Sequence, residues 1–382
     1  MLYQLREWQR AMLSPFVESS AFAANVLREL PGGRSMAASL ELFNRIGREY
    51  PKPAWALPKV EQVVVEKPFC RLLRFEGTGP KVLLFAPLSG HYATLLRETV
   101  RGLIAEHDVY VTDWVNARDV PLSAGRFGLD EYVAYAIEFM QLLGPDTHVM
   151  AVCQPTVPVL AAVSLMSAND DAAVPKSLTL MGGPIDPRES PTQVNTLATD
   201  HDLSWFEDNL IHVVPTGFKG AGRRVYPGFL QHLAFVSMNP DRHFKSHQQF
   251  FFDLIKGDDD GAEAHRKFYD EYNAVLDMTS DFYLETVKVV FQDHALPRGQ
   301  MKVMQQTVKP SAITKTRLFT IEGELDDIAG LGQSKAALTL CSGIPDDRKE
   351  HFEVPGAGHY GIFSGSKWRE QVLPRLTEFF RR

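Results

Sequence analysis

Short apolar runs alternate along this chain with longer stretches of helical periodicity, and the alternation recurs often enough to define a fold. Lys81 to Ala86 (KVLLFA), Asp108 to Asp113 (DVYVTD), His148 to Val152 (HVMAV), Ser177 to Met181 (SLTLM) and Arg317 to Ile321 (RLFTI) are brief and rich in branched apolar side chains. Runs this short and this apolar read as strands covered on both faces. Tyr92 to Glu106, Leu129 to Leu143, Thr156 to Met166 and Lys367 to Phe380 instead place apolar residues at helical spacing. Val60 to Val65 and Cys70 to Phe75 alternate on either side of Glu66 to Pro68 and predict a hairpin. Strand and helix in alternation predict an α/β architecture with a mostly parallel central sheet and helices on both faces.

The same pattern divides the chain. Residues 59–184 and 317–382 carry the strand and helix alternation and are expected to form one core. Residues 1–58 form a helical N-terminal extension that ends in the stiff linker Tyr50-Pro51-Lys52-Pro53-Ala54-Trp55. This extension carries Trp8, Phe16, Phe22 and Phe43 on otherwise polar helices. Docking of these aromatics on the core is the expectation, with a partner-facing surface as the alternative. Residues 185–316 are expected to form a helical cap inserted into the core. It is crowded with aromatics such as Phe244, Phe250, Phe268, Tyr272, Phe282, Tyr283 and Phe291, some for its own packing and others for an apolar groove. The Asp258-Asp259-Asp260 run reads as a solvated turn between cap helices, and His243 and His247, with no accompanying Glu, read as packed or solvated side chains.

Candidate chemistry sits in the loops after three strands. His148 to Val152 ends at Cys153, and Pro155 opens the next helix. In α/β-hydrolases a strand, sharp turn and helix of this kind present the nucleophile, where strained backbone pushes the side chain out beside unpaired helix N–H groups. Ala151-Val152-Cys153-Gln154-Pro155 replaces both glycines of the usual G-x-S-x-G, so taken alone Cys153 reads equally well as a buried strand-end cysteine. Two later loops shift that balance. Arg317 to Ile321 leads into Gly323-Glu324-Leu325-Asp326-Asp327, and His351 to Val354 leads into Pro355-Gly356-Ala357-Gly358-His359. Nucleophile, acid and histidine then follow in the order of the α/β-hydrolase fold. Asp326 is preferred to Asp327 as the acid, because the spacing from Gly323 places it at the strand's end. The turn Pro87-Leu88-Ser89-Gly90 follows the KVLLFA strand, and its N–H at Ser89 or Gly90 would form an oxyanion hole with that of Gln154. His359 would take the thiol proton, Asp326 would orient the ring, and Cys153 would attack an ester or thioester carbonyl.

The VCQP elbow, the GELDDIAG acid turn and the GAGHYGIF histidine loop resemble those of the intracellular poly(3-hydroxybutyrate) depolymerases, over essentially the whole chain. That resemblance implies a cysteine-dependent α/β-hydrolase acting on native, amorphous polyester in storage granules, with Cys153, Asp326 and His359 as its triad and no cofactor. The granule or its polymer is the implied partner. Polyhydroxyalkanoate synthases are related but carry G-x-C-x-G at the elbow. Two alternatives stay open: acyl transfer by the same triad, either polymer synthesis from hydroxyacyl-coenzyme A or thiolysis with coenzyme A as acceptor, and an inactive granule-coating protein.

Composition narrows the setting. With 382 residues and 45% hydrophobic content the chain can bury a large core, and a net charge of -7 gives no reason to expect nucleic acid. Three cysteines suggest no disulfide framework and no metal site. No apolar span reaches membrane length, and the charged residues among the first thirty break any export-signal pattern, so a cytoplasmic, granule-associated protein is expected. Oligomeric state is open, a homo-oligomer included.

Overall fold

The computed structural model describes residues 2–238 and 240–382. Its centre is an eight-stranded sheet. Six strands come first: β1 (Gln62–Glu66), β2 (Cys70–Phe75), β3 (Lys81–Phe85), β4 (Asp108–Trp114), β5 (His148–Val152) and β6 (Ser177–Met181). Three short strands, β7 (His212–Val213), β8 (Arg224–Tyr226) and β9 (Met278–Thr279), pair antiparallel as a separate sheet, and β10 (Lys302–Val303) with β11 (Gln306–Thr307) makes a small hairpin. The central sheet is completed by β12 (Arg317–Gly323) and β13 (Lys349–Val354), in the order β1-β2-β4-β3-β5-β6-β12-β13. β2 pairs antiparallel with both β1 and β4, and every other pair in this sheet is parallel. This is an α/β-hydrolase fold.

Helices cover both faces of the sheet, which is why its strands are apolar throughout. Leu83, Phe85, Val149 and Ala151 join a cluster built largely from α4 (Leu129–Leu143) and α5 (Thr156–Ala168). Their neighbours Val82, Leu84, Met150 and Val152 join the opposite cluster with Val100 and Leu103 of α3 (Arg97–Leu103) and with Trp368, Leu376 and Phe380. The period-two alternation of each strand thus feeds two cores. Between β3 and β5 the chain order reverses, since β4 lies on the far side of β3. Loops leaving the carboxyl ends of strands at such a reversal open a crevice, and Cys153 ends β5 there.

Two segments differ from the sequence expectation. Helices α1 (Leu2–Arg28) and α2 (Arg34–Gly47) form a hairpin, and Trp8, Phe16, Phe22 and Phe43 are 60%, 67%, 74% and 50% exposed, so they do not dock on the core. The hairpin buries Tyr3, Val17, Ala24, Ala37 and Ala38 instead, because small side chains let two helices approach closely and leave the large ones outside. The segment between β6 and β12 is helical as expected, with α6 (Gln193–Asp200), α7 (Leu203–Leu210), α8 (Gly228–Met238), α9 (Pro240–Lys256), α10 (Asp259–Tyr272) and α11 (Ser280–Thr286). It also contains the β7-β8-β9 sheet, whose strands of two or three residues are too short to leave a periodic signal. His243 and His247 hold helices together through Tyr269 (2.9 Å) and His265 (3.2 Å), and Asp258 caps α10 by accepting from the Gly261 N–H at 3.0 Å. Among the described residues no helix is long and apolar enough to cross a membrane.

The N-terminal hairpin is tied down by a buried polar contact. The Tyr3 hydroxyl donates to Asp277 Oδ2 at 2.5 Å, and the Gly228 N–H donates to Oδ1 at 2.8 Å. Burial raises the Asp277 carboxyl to about 6, from an ordinary value of 3.8. The folded state therefore holds this proton more tightly than the unfolded one, and the associated stabilisation is lost as pH rises through that window. The Tm of the wild type relative to Asp277→Asn should accordingly fall between about pH 4 and pH 6. A pH-independent difference would mean the carboxyl stays ionised.

Candidate active site

Strand β5 delivers Cys153 in a left-handed backbone conformation, φ 67°, which non-glycine residues rarely adopt. Three hydrogen bonds enforce it: the Cys153 N–H donates to Met181 O at 2.7 Å, and the Thr156 N–H and hydroxyl donate to Cys153 O at 3.1 and 2.9 Å. Gly183 packs so closely beneath the turn that a Cβ there would lie 2.4 Å from Cys153 O. The glycines missing on either side of the cysteine are thus partly replaced by one on the neighbouring strand's loop. Cys153 is half-buried, whereas Cys70 and Cys341 are fully buried. Burial raises the Cys70 thiol well above its ordinary range and pushes the Cys341 thiol up to about 12, so neither is poised to form a thiolate.

Asp326 stands in the turn after β12, and His359 in a short helical turn after β13. His359 Nδ1 donates to Asp326 Oδ2 at 2.8 Å, and both side chains are almost entirely buried. Oδ1 of the same carboxylate accepts from the N–H groups of Ile328 and Ala329, each at 2.9 Å. The acid is fixed before it meets the ring, and Asp326 is the residue of the aspartate pair that bonds His359. The rings of Tyr360 and Phe363 stand edge-on to the imidazole, with centroids 5.9 and 5.8 Å away. Burial alone would favour neutral imidazole, but the charge of Asp326, the neighbouring Cys153 and hydrogen bonds to both outweigh it, and His359 is raised well above its ordinary value.

Ser89 and Gln154 line the same cavity as Cys153 and His359. The loop holding Ser89 is anchored at its root, where the Ala86 N–H donates to Thr112 Oγ1 at 2.9 Å and Trp114 Nε1 donates to Ala86 O at 2.8 Å. Within it the N–H of Leu88 points to Gln154 Oε1, at 3.4 Å. Leu88 was not singled out by the sequence, since the turn Pro87-Leu88-Ser89-Gly90 offers several N–H groups and only the fold aims one at the elbow. The cavity measures about 470 Å³, and Leu197, Phe235, Met238, Tyr283 and Phe291 give it a mainly apolar wall. Helices α6, α8 and α11 form its roof, so the inserted segment encloses the crevice that the sheet opens.

Residues 182–382 match the family described as PHB de-polymerase C-terminus, a span of more than half the chain. The chain belongs to the PHB depolymerase family. The matched region holds Asp326, His359 and the inserted segment, while Cys153 precedes it. No curated protein matches the sequence. Solved structures similar to this family member include a bromoperoxidase from Bacillus anthracis, at 12% identity and TM-score 0.47, covering 85% of this chain and 100% of that one. A 2-hydroxy-6-oxo-6-phenylhexa-2,4-dienoate hydrolase from Rhodococcus sp. strain RHA1 is similar at 13% identity and TM-score 0.45, covering 86% and 100%. A monoacylglycerol lipase from Paleococcus ferrophilus is similar at 14% identity and TM-score 0.46, covering 81% and 98%. With the family and the sheet order together, this PHB depolymerase family member is a hydrolase of the α/β-hydrolase type.

Proposed function

We propose that this protein hydrolyses the ester bonds of amorphous poly(3-hydroxybutyrate) through a Cys153, His359, Asp326 triad and an acyl-thioester intermediate. One observation carries the reading: an imidazole bonded at 2.8 Å to a buried carboxylate and coupled to a cysteine held at φ 67° beside an apolar cavity. His359, its basicity raised by Asp326, accepts the thiol proton, and the sulfur attacks the ester carbonyl. An S–C bond forms, and the tetrahedral oxyanion is held by the backbone N–H groups of Gln154 and of Ser89 or Gly90. Collapse breaks the C–O bond, and the departing alkoxide takes its proton from His359. Water, deprotonated by the same ring, then attacks the thioester, the S–C bond breaks, and the hydroxy acid leaves.

A neutral, apolar polymer suits both the cavity wall and the outer surface. Trp8, Phe16 and Phe22 on α1, Phe43 on α2 and Phe244 on α9 are all at least half exposed, an unusual concentration of large apolar side chains for a surface facing only water. Attachment to a granule in the cytoplasm would cover such residues. The decisive assay incubates amorphous granules with the protein, with and without coenzyme A, and analyses the products. Free 3-hydroxybutyrate or its short oligomers, released at the same rate in both arms, are expected. A hydroxyacyl-coenzyme A product would replace hydrolysis by acyl transfer, and no release would favour a granule-coating role.

A further inference from the structure

Tyr226 ends β8 and pairs with Met278 of β9, and β9 runs directly into α11, whose first turn carries Tyr283. This register brings the two rings together, with centroids 4.2 Å apart. Both line the cavity that holds Cys153, Gln154 and His359, on the side contributed by the inserted segment. Tyr226 is largely buried and Tyr283 partly so, yet both hydroxyls reach accessible space, unlike the Tyr132 hydroxyl, which is shut off from it. Among the described residues neither hydroxyl has a hydrogen-bond partner, whereas those of Tyr3, Tyr110 and Tyr272 bond to Asp277, Asp108 and His243. Burial raises the Tyr226 hydroxyl to about 12, and burial together with the neighbouring Tyr226 raises that of Tyr283. Both therefore stay protonated at neutral pH and can donate. The hydroxyls of Thr286 and Ser237 on the same wall are spent on Phe282 O and Ala234 O. With Leu197, Phe235, Phe282 and Phe291 around it, the tyrosine pair presents two open donors in a mainly apolar wall.

We propose that Tyr226 and Tyr283 form a specificity subsite that donates hydrogen bonds to the carbonyl oxygens of polyester repeats next to the one being cut, so that the cavity selects polyester over simple esters. The inference rests on the ester-hydrolase reading above. Its chemical basis is the one-sided hydrogen bonding of the polymer. An internal repeat of a poly(3-hydroxyalkanoate) carries one ester on a short apolar frame, and its oxygens accept while nothing in it donates. An apolar wall with a few open donors is the complement of such a chain. A chain that fills the cavity expels water from both hydroxyls, and a carbonyl must then take the water's place or the donors are left unpaired at a cost. An alkyl ester of the same bulk offers only the scissile carbonyl, which the backbone N–H groups at the elbow claim. A site built with polar groups for one ligand rejects the analogue that leaves those groups without partners. The pair binds and orients the chain, and bond making stays with Cys153 and His359.

The test compares a 3-hydroxybutyrate oligomer with an analogue that keeps one central ester and carries methylene in place of every other ester carbonyl, an ether chain of the same length and similar bulk. For the wild type, kcat/KM for cutting the central ester should favour the full polyester by about 10- to 100-fold. Tyr226→Phe combined with Tyr283→Phe should reduce that ratio to within about threefold of unity. Since neither hydroxyl bonds to another described residue, the double variant should melt close to the wild type. Equal rates on the two oligomers in the wild type overturn the inference while leaving ester hydrolysis standing. Retention of the full preference by the folded double variant also overturns it. Failure of the wild type to cut the full polyester oligomer overturns both it and the reading on which it rests. Should the double variant fail to fold, each single variant should lower the preference by at least about threefold, and an unchanged preference in both overturns the inference.

Discussion

Cys153→Ala should lower the release of 3-hydroxybutyrate from amorphous granules by at least about 10⁴-fold while leaving the thermal unfolding of the protein nearly unchanged. The size follows from the chemistry, since without sulfur the cavity and the backbone N–H groups can bind and polarise an ester but cannot form the covalent intermediate. The small structural effect follows from the turn. Its conformation is imposed through the Cys153 backbone, by bonds with Met181 O and Thr156 and by the close passage of Gly183. Alanine can occupy the same left-handed position as cysteine at similar cost. Product analysis and a melting curve on the same preparation check both halves. Unchanged release would remove Cys153 as the nucleophile, and a hydroxyacyl adduct trapped on Cys70 or Cys341 would require a buried thiol with a raised pKa to react, against the whole arrangement.

Asp326→Asn should cost about 10⁴-fold in kcat, and Asp327→Asn less than about tenfold. The reason lies in how the carboxylate is wired. Oδ1 is already claimed by the N–H groups of Ile328 and Ala329, so an asparagine would keep its oxygen there and turn its NH₂ towards His359 Nδ1. Two donors would then meet, and the ring would escape by moving its proton to the other nitrogen, the one needed to accept from sulfur. The charge that raises His359 would vanish with the same substitution, so the pH dependence of kcat/KM should shift to lower pH as well. The Asp327 charge acts on Tyr272 and Tyr360, whereas the carboxylate bonded to the His359 ring is that of Asp326. A stronger effect at Asp327 than at Asp326, measured as kcat on a soluble oligomer, would move the acid by one residue.

How much of this was readable beforehand depends on how local its cause is. The strands His148–Val152 and Ser177–Met181 and the helix Leu129–Leu143 have the bounds that the apolar pattern predicts, because each is covered on a face or on both and its neighbours in sequence carry that requirement. The segment Tyr92 to Glu106 is less regular than its periodicity implies: Ala93–Leu96 is a tighter turn that hands over to α3 at Arg97. The aromatics of α1 and α2 show the opposite limit. Their spacing marks an apolar face, but whether a core or something outside the chain covers it is settled by which other surfaces are free, and here Tyr3 and small residues took the inward positions.

The sequence by itself determined the alternation of strands and helices, and with it an α/β-hydrolase sheet whose loops carry a cysteine, an aspartate pair and a histidine in that order. Tertiary structure alone decided that Asp326 meets His359 and that the Leu88 N–H points at the Gln154 side chain of the elbow. Backbone preference and hydrophobic periodicity act between residues a few positions apart, so they can be read along the chain. Contacts among side chains separated by tens to hundreds of residues depend on strand order and register, which bring the ends of β3, β5, β12 and β13 to one edge of the sheet and exist only once it has formed.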